Sequence, residues 1–333
     1  MEYTCKICWN SENNSLYTVK EIIIGNGDEF EYIECSRCGC LQIAEIPKNL
    51  ARYYEGYYSL GAVDDKNITR IQKFISDSFE KSKIYYYTKK GGIIARSICW
   101  FFPELMPPPP PREPDIFYKK ILDVGCGTGW SLSTLAKAGF KNLSGCDLFI
   151  EKDIVINEAD NVTIKIHKCE IYDIAEKFDI ITLSHSLEHM PEQEKVLSKI
   201  NSLLNDGGIC IIDIPTVSCY AWKKYKESWY SISAPVHFFL HSMKSINILA
   251  ENCGFIIGYI VHNSIKGLLL NKYYSKGYNS DDIIKKLGSI KGIIPFIYDK
   301  LQAKWLNKKK LSDCVRICLR KTKDFVEICE YKL

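Results

Sequence analysis

No stretch of the sequence offers the roughly 18 uninterrupted apolar residues that a membrane-spanning helix needs. Residues 91–106 come nearest, and Arg96 and Pro103 interrupt them. The start, MEYTCKICWN, lacks the basic and apolar regions of a secretory signal. Nor does one sign of charge dominate: 44 Lys and Arg against 40 Asp and Glu leave a net charge of +4. Charges mixed in this way give no backbone-tracking surface for nucleic acid and no bias towards an acidic substrate. Together these absences point to a soluble cytoplasmic protein. Its length allows one or two domains with a full core.

Cysteine, by contrast, is plentiful, at 15 residues. With no secretory signal, the expectation is a reducing compartment in which several cysteines (Cys126, Cys146, Cys210) fill apolar space. Four are different. Cys5 and Cys8, then Cys35 and Cys38, form two Cys-x-x-Cys pairs that can supply four thiolates to one tetrahedral zinc. Between them, residues 19–24 and 30–33 flank Gly25-Asn26-Gly27 as a hairpin. The expected unit is a zinc ribbon over 1–46, with Cys40 a bystander and the metal structural.

Residues 47–115 change character. Tyr53, Tyr54, Tyr57 and Tyr58 surround Gly56, and a helix-period pattern runs over 64–90. The reading is a helix packed on the next domain, or a lid whose tyrosines line a substrate site. Five prolines, 107–111, then make a semi-rigid linker.

From residue 116 strands and helices alternate. Strands are expected over 121–125, 142–147, 162–167, 178–184 and 208–215, with two edge strands over 255–262 and 314–320. Helices are expected over 130–138, 191–204 and 242–253, with Pro191 in a first turn and Gly254 as a C-terminal cap. This is an α/β, Rossmann-like, doubly wound seven-stranded sheet with a small N-terminal ribbon and helical additions. The core would span 116–263 and end with a last strand in 311–325. A helical insertion over 264–310 interrupts it. The insertion ends in a run where apolar and aromatic residues interleave with five lysines after Tyr298. It reads as a solvated amphipathic helix, with peripheral contact to anionic lipid as the alternative.

The stretch ILDVGCGTGW, 121–130, organises this core. Gly125, Gly127 and Gly129 recur at every second position, two residues after Asp123. A dinucleotide fingerprint has the spacing G-x-G-x-x-G instead. Asp147, 18 residues after Gly129, is placed to hold the ribose of a nucleoside. The third marker is FDIITLSHSLEHMPEQEKVLSKINSLLNDGGICIIDIPT, a strand, a Glu-His step, a helix, a glycine turn and another strand.

These three segments, in this order, resemble class I S-adenosylmethionine-dependent methyltransferases. With the ribbon, YYEGYYS and the stretch over 214–255, nearly the whole chain resembles the zinc-ribbon methyltransferases of bacterial surface-glycan and sugar biosynthesis. It departs at Pro235-Val236-His237, where that group has Pro-Arg-His, and it lacks the large C-terminal domain of the sugar C-methyltransferases. The resemblance implies a cofactor site of Asp123, Gly125, Gly127, Gly129, Asp147, Leu148, Glu170 and Ser184. His189, His185 and His237 compete as general base, with Glu188 able to set a tautomer. The expected reaction is O-methylation of a sugar or glycan precursor. A lipid-like or quinone-like hydroxyl and sugar C-methylation are alternatives. A zinc-ribbon binding module without catalysis is a distant one.

Overall fold

The computed structural model describes residues 3–22, 24–54, 82, 92–101, 115–159, 161–264, 268–278, 283 and 293–322. The expected helix over 64–90, Tyr57, Tyr58 and the proline run 107–111 lie outside the described residues.

Two sheets carry the chain. The first begins with β1 (Ser15–Lys20), β2 (Glu29–Glu34) and β3 (Leu41–Ile43). β1 and β2 pair antiparallel as the expected hairpin, and the Glu21 carboxylate accepts the Ile24 and Asn26 N–H groups in its loop. After α1 (Ile93–Phe101), the second sheet is built from β4 (Lys120–Val124), β5 (Asn142–Cys146), β6 (Ile154–Glu158), β7 (Val162–His167), β8 (Phe178–Ser184) and β9 (Leu204–Pro215). α2 (Trp130–Lys137) follows β4, and α3 (Gln193–Leu203) joins β8 to β9. Next come α4 (Tyr220–Tyr225), the short β10 (Phe239–Leu240), α5 (Met243–Asn252) and β11 (Phe255–His262). α6 (Leu269–Tyr274), α7 (Ile293–Lys308) and β12 (Cys314–Lys321) close the described chain.

The large sheet runs β11-β12-β9-β8-β4-β5-β7-β6, with parallel pairing from β9 to β7 and antiparallel strands at both edges. Among the described residues it therefore has eight strands where seven were expected. The addition, β6, is a five-residue edge strand, half-buried or exposed throughout, whose apolar run is only the three residues Ile154-Val155-Ile156. Side chains alternate across the central strands. Leu122 and Val124 face one apolar cluster with Leu197 and Ile200 of α3 and Ile246 of α5. Ile121 faces another with Leu132 and Ala136 of α2. Helices thus cover both faces of the sheet, as a buried parallel sheet requires.

Other boundaries moved slightly. α3 starts at Gln193, so Pro191 precedes the helix rather than occupying its first turn. Gly254 does follow α5, with φ of +73°. Cys126 lies in the loop after β4, with its sulfur packed towards Gly145. The ribbon is not a separate body. β10, from the far part of the chain, pairs with β3, and the ribbon's Ile7, Val19, Tyr32 and Leu41 share one apolar cluster with the Rossmann core.

Candidate active site

The site forms where β4, β5 and β8 end, at the carboxyl edge that binds ligands in sheets of this kind. Gly125, Gly127 and Gly129 have φ of +72°, +54° and +82°, a region that disfavours side chains. A Cβ at Gly125 would stand 2.6 Å from the Ser186 Cβ, and one at Gly129 would stand 2.4 Å from Ile166 Cδ1. A Cβ at Gly127 would meet nothing within 4 Å, so this glycine faces open space. The Gly127 N–H donates to Asp147 Oδ2 at 2.8 Å, and the Phe149 N–H donates to Asp147 Oδ1 at 2.8 Å. Asp147 is buried while Leu148 and Phe149 beside it are exposed.

Beneath the loop, Asp123 is buried and accepts the Thr182 hydroxyl at 2.6 Å. Burial pushes its carboxyl up to about 7, Asp213 and Asp147 add to this, and the Thr182 hydrogen bond opposes it. Asp213 is itself neutralised by a two-pronged bond with Arg316, Nε to Oδ1 at 2.7 Å and a terminal nitrogen to Oδ2 at 2.6 Å. Ser184 is the last, exposed residue of β8 and pairs with Asp213 across to β9. Glu170 lies beyond β7, where its side chain and Asp173 cap a short 3₁₀ turn reciprocally.

The exit of β8 brings the histidines together. His185 takes a positive φ of 53°, which turns the chain over the sheet edge, and its imidazole remains 56% exposed. Its Nδ1 lies 3.4 Å from Glu188 Oε1, and its Nε2 lies 3.9 Å from the Cys314 sulfur. Burial opposes charge on this ring, but Cys314 and Glu188 favour it and hold the group well above its usual range. Burial raises the Cys314 thiol, so the carboxylate is the partner that counts.

His189 donates Nδ1–H to the Val236 carbonyl at 2.8 Å, with the Tyr54 hydroxyl 3.3 Å from the same nitrogen. His237 donates Nδ1–H to the Ser231 carbonyl at 2.8 Å. These bonds fix both tautomers and make Nε2 the basic nitrogen of each ring. Burial, then His189, lowers His237 to about 3, so it is neutral. Burial would raise the Glu188 carboxyl, but the His185 hydrogen bond, foremost among the lowering influences, outweighs it with its neighbours and the group is held at about 2.

The three histidines that compete in the sequence as base, and Glu188 beside them, come together in the structure at the exit of β8. Sequence reasoning did not find Thr182, Asp213, Arg316 or Cys314. Asp213 and Arg316 had a signal, as charged residues set inside the apolar strands ICIIDIP and CVRICLR. Tyr53 and Tyr54 diverge. The Tyr53 hydroxyl bonds Asp28 in the ribbon at 2.6 Å, whereas Tyr54 reaches His189 and stacks on Phe149. His241, buried with both ring nitrogens bonded to Ser245 and Gln193, is structural.

In the ribbon, the sulfurs of Cys5, Cys8, Cys35 and Cys38 lie within 4.8 Å of one another. Two of the contacts are short, Cys5 to Cys38 at 3.6 Å and Cys8 to Cys35 at 3.5 Å. A tetrahedral zinc with bonds of about 2.3 Å separates its sulfurs by about 3.8 Å, so the four thiols fit such an ion. The Cys40 sulfur stands apart, against the Leu41 carbonyl.

A family model described as a methyltransferase domain matches residues 86–257, just over half of the 333-residue chain. The chain belongs to this methyltransferase-domain family. Its strand order and glycine loop are therefore those of a methyltransferase domain, and the ribbon is an addition in front of the matched residues. Among curated proteins, the ubiquinone biosynthesis O-methyltransferase of Actinobacillus pleuropneumoniae is 31% identical over 144 residues, 40% of this chain and 60% of that protein. The Coxiella burnetii protein of the same name is 34% identical over 96 residues, 27% of this chain and 41% of that protein. The chain thus spans less than two thirds of these relatives. A solved S-adenosylmethionine dependent methyltransferase from Mesorhizobium loti aligns at 15% identity over 63% of this chain and 94% of that one, with a TM-score of 0.40.

Proposed function

We propose that the chain transfers a methyl group from S-adenosylmethionine to a hydroxyl oxygen of a small acceptor. One observation carries this reading: Ser186 packs directly against Gly125, so the histidine-bearing exit of β8 touches the cofactor loop. Asp147 holds the ribose hydroxyls, and the backbone at open Gly127 lies along the methionine end. Asp123 receives the ammonium, directly or through the loop it supports. Leu148, Glu170 and Ser184 line the nucleoside side.

The sulfonium supplies an activated methyl carbon. The acceptor oxygen attacks that carbon as the carbon–sulfur bond breaks, and the bonding pair stays on sulfur. The hydroxyl proton passes to the histidine cluster at the exit of β8, in which His185 lies beside Glu188.

Two acceptor classes fit. A sugar hydroxyl on a glycan precursor follows from the resemblance across the ribbon and 214–255, which β10 joins into one structural unit. A quinone-like hydroxyl follows from the names of the curated relatives. Turnover assays on nucleotide-linked sugars and on dihydroxy-aromatic acceptors separate them. A structural zinc on Cys5, Cys8, Cys35 and Cys38 belongs to the same reading.

The cofactor assignment is tested by calorimetry. Asp147→Ala removes the acceptor of two loop N–H groups and of the ribose, so affinity for S-adenosylmethionine should fall at least about tenfold, or about 1.4 kcal/mol. Unchanged affinity would overturn the assignment.

Peripheral contact with anionic lipid gains support from α7, where Tyr298, Leu301 and Trp305 share one face and are 66%, 61% and 52% exposed. Lys304 and Lys308 flank them. Co-sedimentation with phosphatidylserine vesicles should weaken in Leu301→Ala/Trp305→Ala; equal binding by this variant removes α7 as the contact.

A further inference from the structure

We propose that Glu188, His189 and His237 form a second metal site, for a divalent first-row transition ion, on the acceptor side of the cofactor loop. It deepens the methyltransferase reading by adding a ligand to that site. One carboxylate oxygen and one ring nitrogen from each histidine lie within 4.8 Å of one another.

Glu188 provides the first reason. Its side chain is 1% exposed, and Oε1 faces His185. Oε2 is fully buried and has no hydrogen-bond partner among the described residues. An ionised oxygen left in that state is costly, and a bound cation removes the cost.

The histidines provide the second. Each gives its Nδ1–H to a backbone carbonyl, His189 to Val236 and His237 to Ser231, both at 2.8 Å. A ring N–H locked on a carbonyl is the support that metal-bound histidines have, because it fixes the tautomer with the other nitrogen as ligand. The two rings stand edge to face with centroids 4.7 Å apart.

The backbone holds the three ligands together. The Phe238 N–H donates to the Glu188 carbonyl at 2.8 Å, and the Tyr32 hydroxyl donates to the His237 carbonyl at 2.8 Å. Two imidazoles and one carboxylate suit zinc, cobalt, iron or manganese better than magnesium or calcium. Three protein ligands leave positions open for an acceptor oxygen, whose hydroxyl such an ion acidifies.

The test uses the full chain and cobalt(II), read by metal analysis and visible absorption. Wild type should hold about two cobalt per chain, one with intense thiolate charge-transfer bands and one with weak d–d bands of a nitrogen/oxygen site. Glu188→Gln and His237→Ala should each lose the second equivalent and its bands while keeping the thiolate bands. Cys35→Ser should show the converse. Should Glu188→Gln fail to fold, His237→Ala decides alone. One cobalt with thiolate bands only in wild type, or a full complement in the folded variants, overturns the proposal. Calorimetry with S-adenosylmethionine keeps the two readings apart. Cofactor binding without the second metal sinks this inference alone, whereas a second metal without cofactor binding sinks only the methyltransferase reading.

Discussion

Asp123 is the residue whose environment differs most from its appearance in the sequence. It sits on a strand between apolar neighbours, and desolvation holds its carboxyl near 7, against an ordinary 3.8. The sign follows from linkage. In the folded protein the group stays protonated up to about 7, while in the unfolded chain it ionises near 3.8, so the free protein loses stability as pH rises through that window. Pairing with an ammonium favours the carboxylate, so binding releases a proton below the folded value. Affinity for S-adenosylmethionine should therefore rise by up to about tenfold per pH unit towards about 7 and then level off. Asp123→Asn should flatten that rise, which calorimetry in buffers of different ionisation enthalpy will show. At this scale the sequence was legible where chemistry forces a residue type. Gly125 and Gly129 are required by positive φ and by close contacts with Ser186 and Ile166. It was illegible where a partner arrives from another strand. Nothing beside Thr182 or Asp213 in the chain announces that they meet Asp123 and Arg316.

Between elements, the decisive contact is β10 on β3. Phe239 and Leu240 pair with Gln42 and Leu41, and the Ile43 N–H donates to the Phe238 carbonyl at 2.9 Å. The residues just before β10 present the Val236 carbonyl to His189 and carry His237. Buried Tyr32 of β2 ties the same segment down through the His237 carbonyl. The ribbon thereby holds the segment that carries His237 and presents the Val236 carbonyl to His189. Tyr32→Phe removes that bond and should destabilise the protein by about 1–2 kcal/mol. It should lower kcat severalfold and shift its pH profile, with the cofactor affinity unchanged; a fall in cofactor affinity with kcat intact would contradict this route. A two-residue strand has no periodicity to read, so β10 escaped the sequence. The long parallel strands did not, because burial on both faces imposes apolar runs such as FDIITLS.

At the scale of the whole molecule, ribbon and Rossmann core are one apolar body, although the sequence separates them at residue 46. Cys5, Cys35 and Cys38 belong to the same cluster as Leu183, Ile212 and Phe239. Further bonds cross the junction, from Trp222 Nε1 to Glu34 at 3.0 Å and from Lys244 to the Arg37 carbonyl at 2.6 Å. The three ribbon strands are short, and β1 and β2 are only partly buried, so under the proposed reading a metal on the four thiols holds their turns. Loss of that metal should spread unevenly. Cys35→Ser should increase hydrogen exchange over 15–43 and, through β10, over 236–242, while 120–147 around the glycine loop stays protected. Turnover should fall several-fold or more, with S-adenosylmethionine still bound, because the loop rests on β4, β5 and β8 rather than on the ribbon. Uniform exchange across both regions would instead mean that the metal stabilises the protein as a whole. Wild-type exchange over 236–242 would mean that the ribbon folds without it and does not control the histidines.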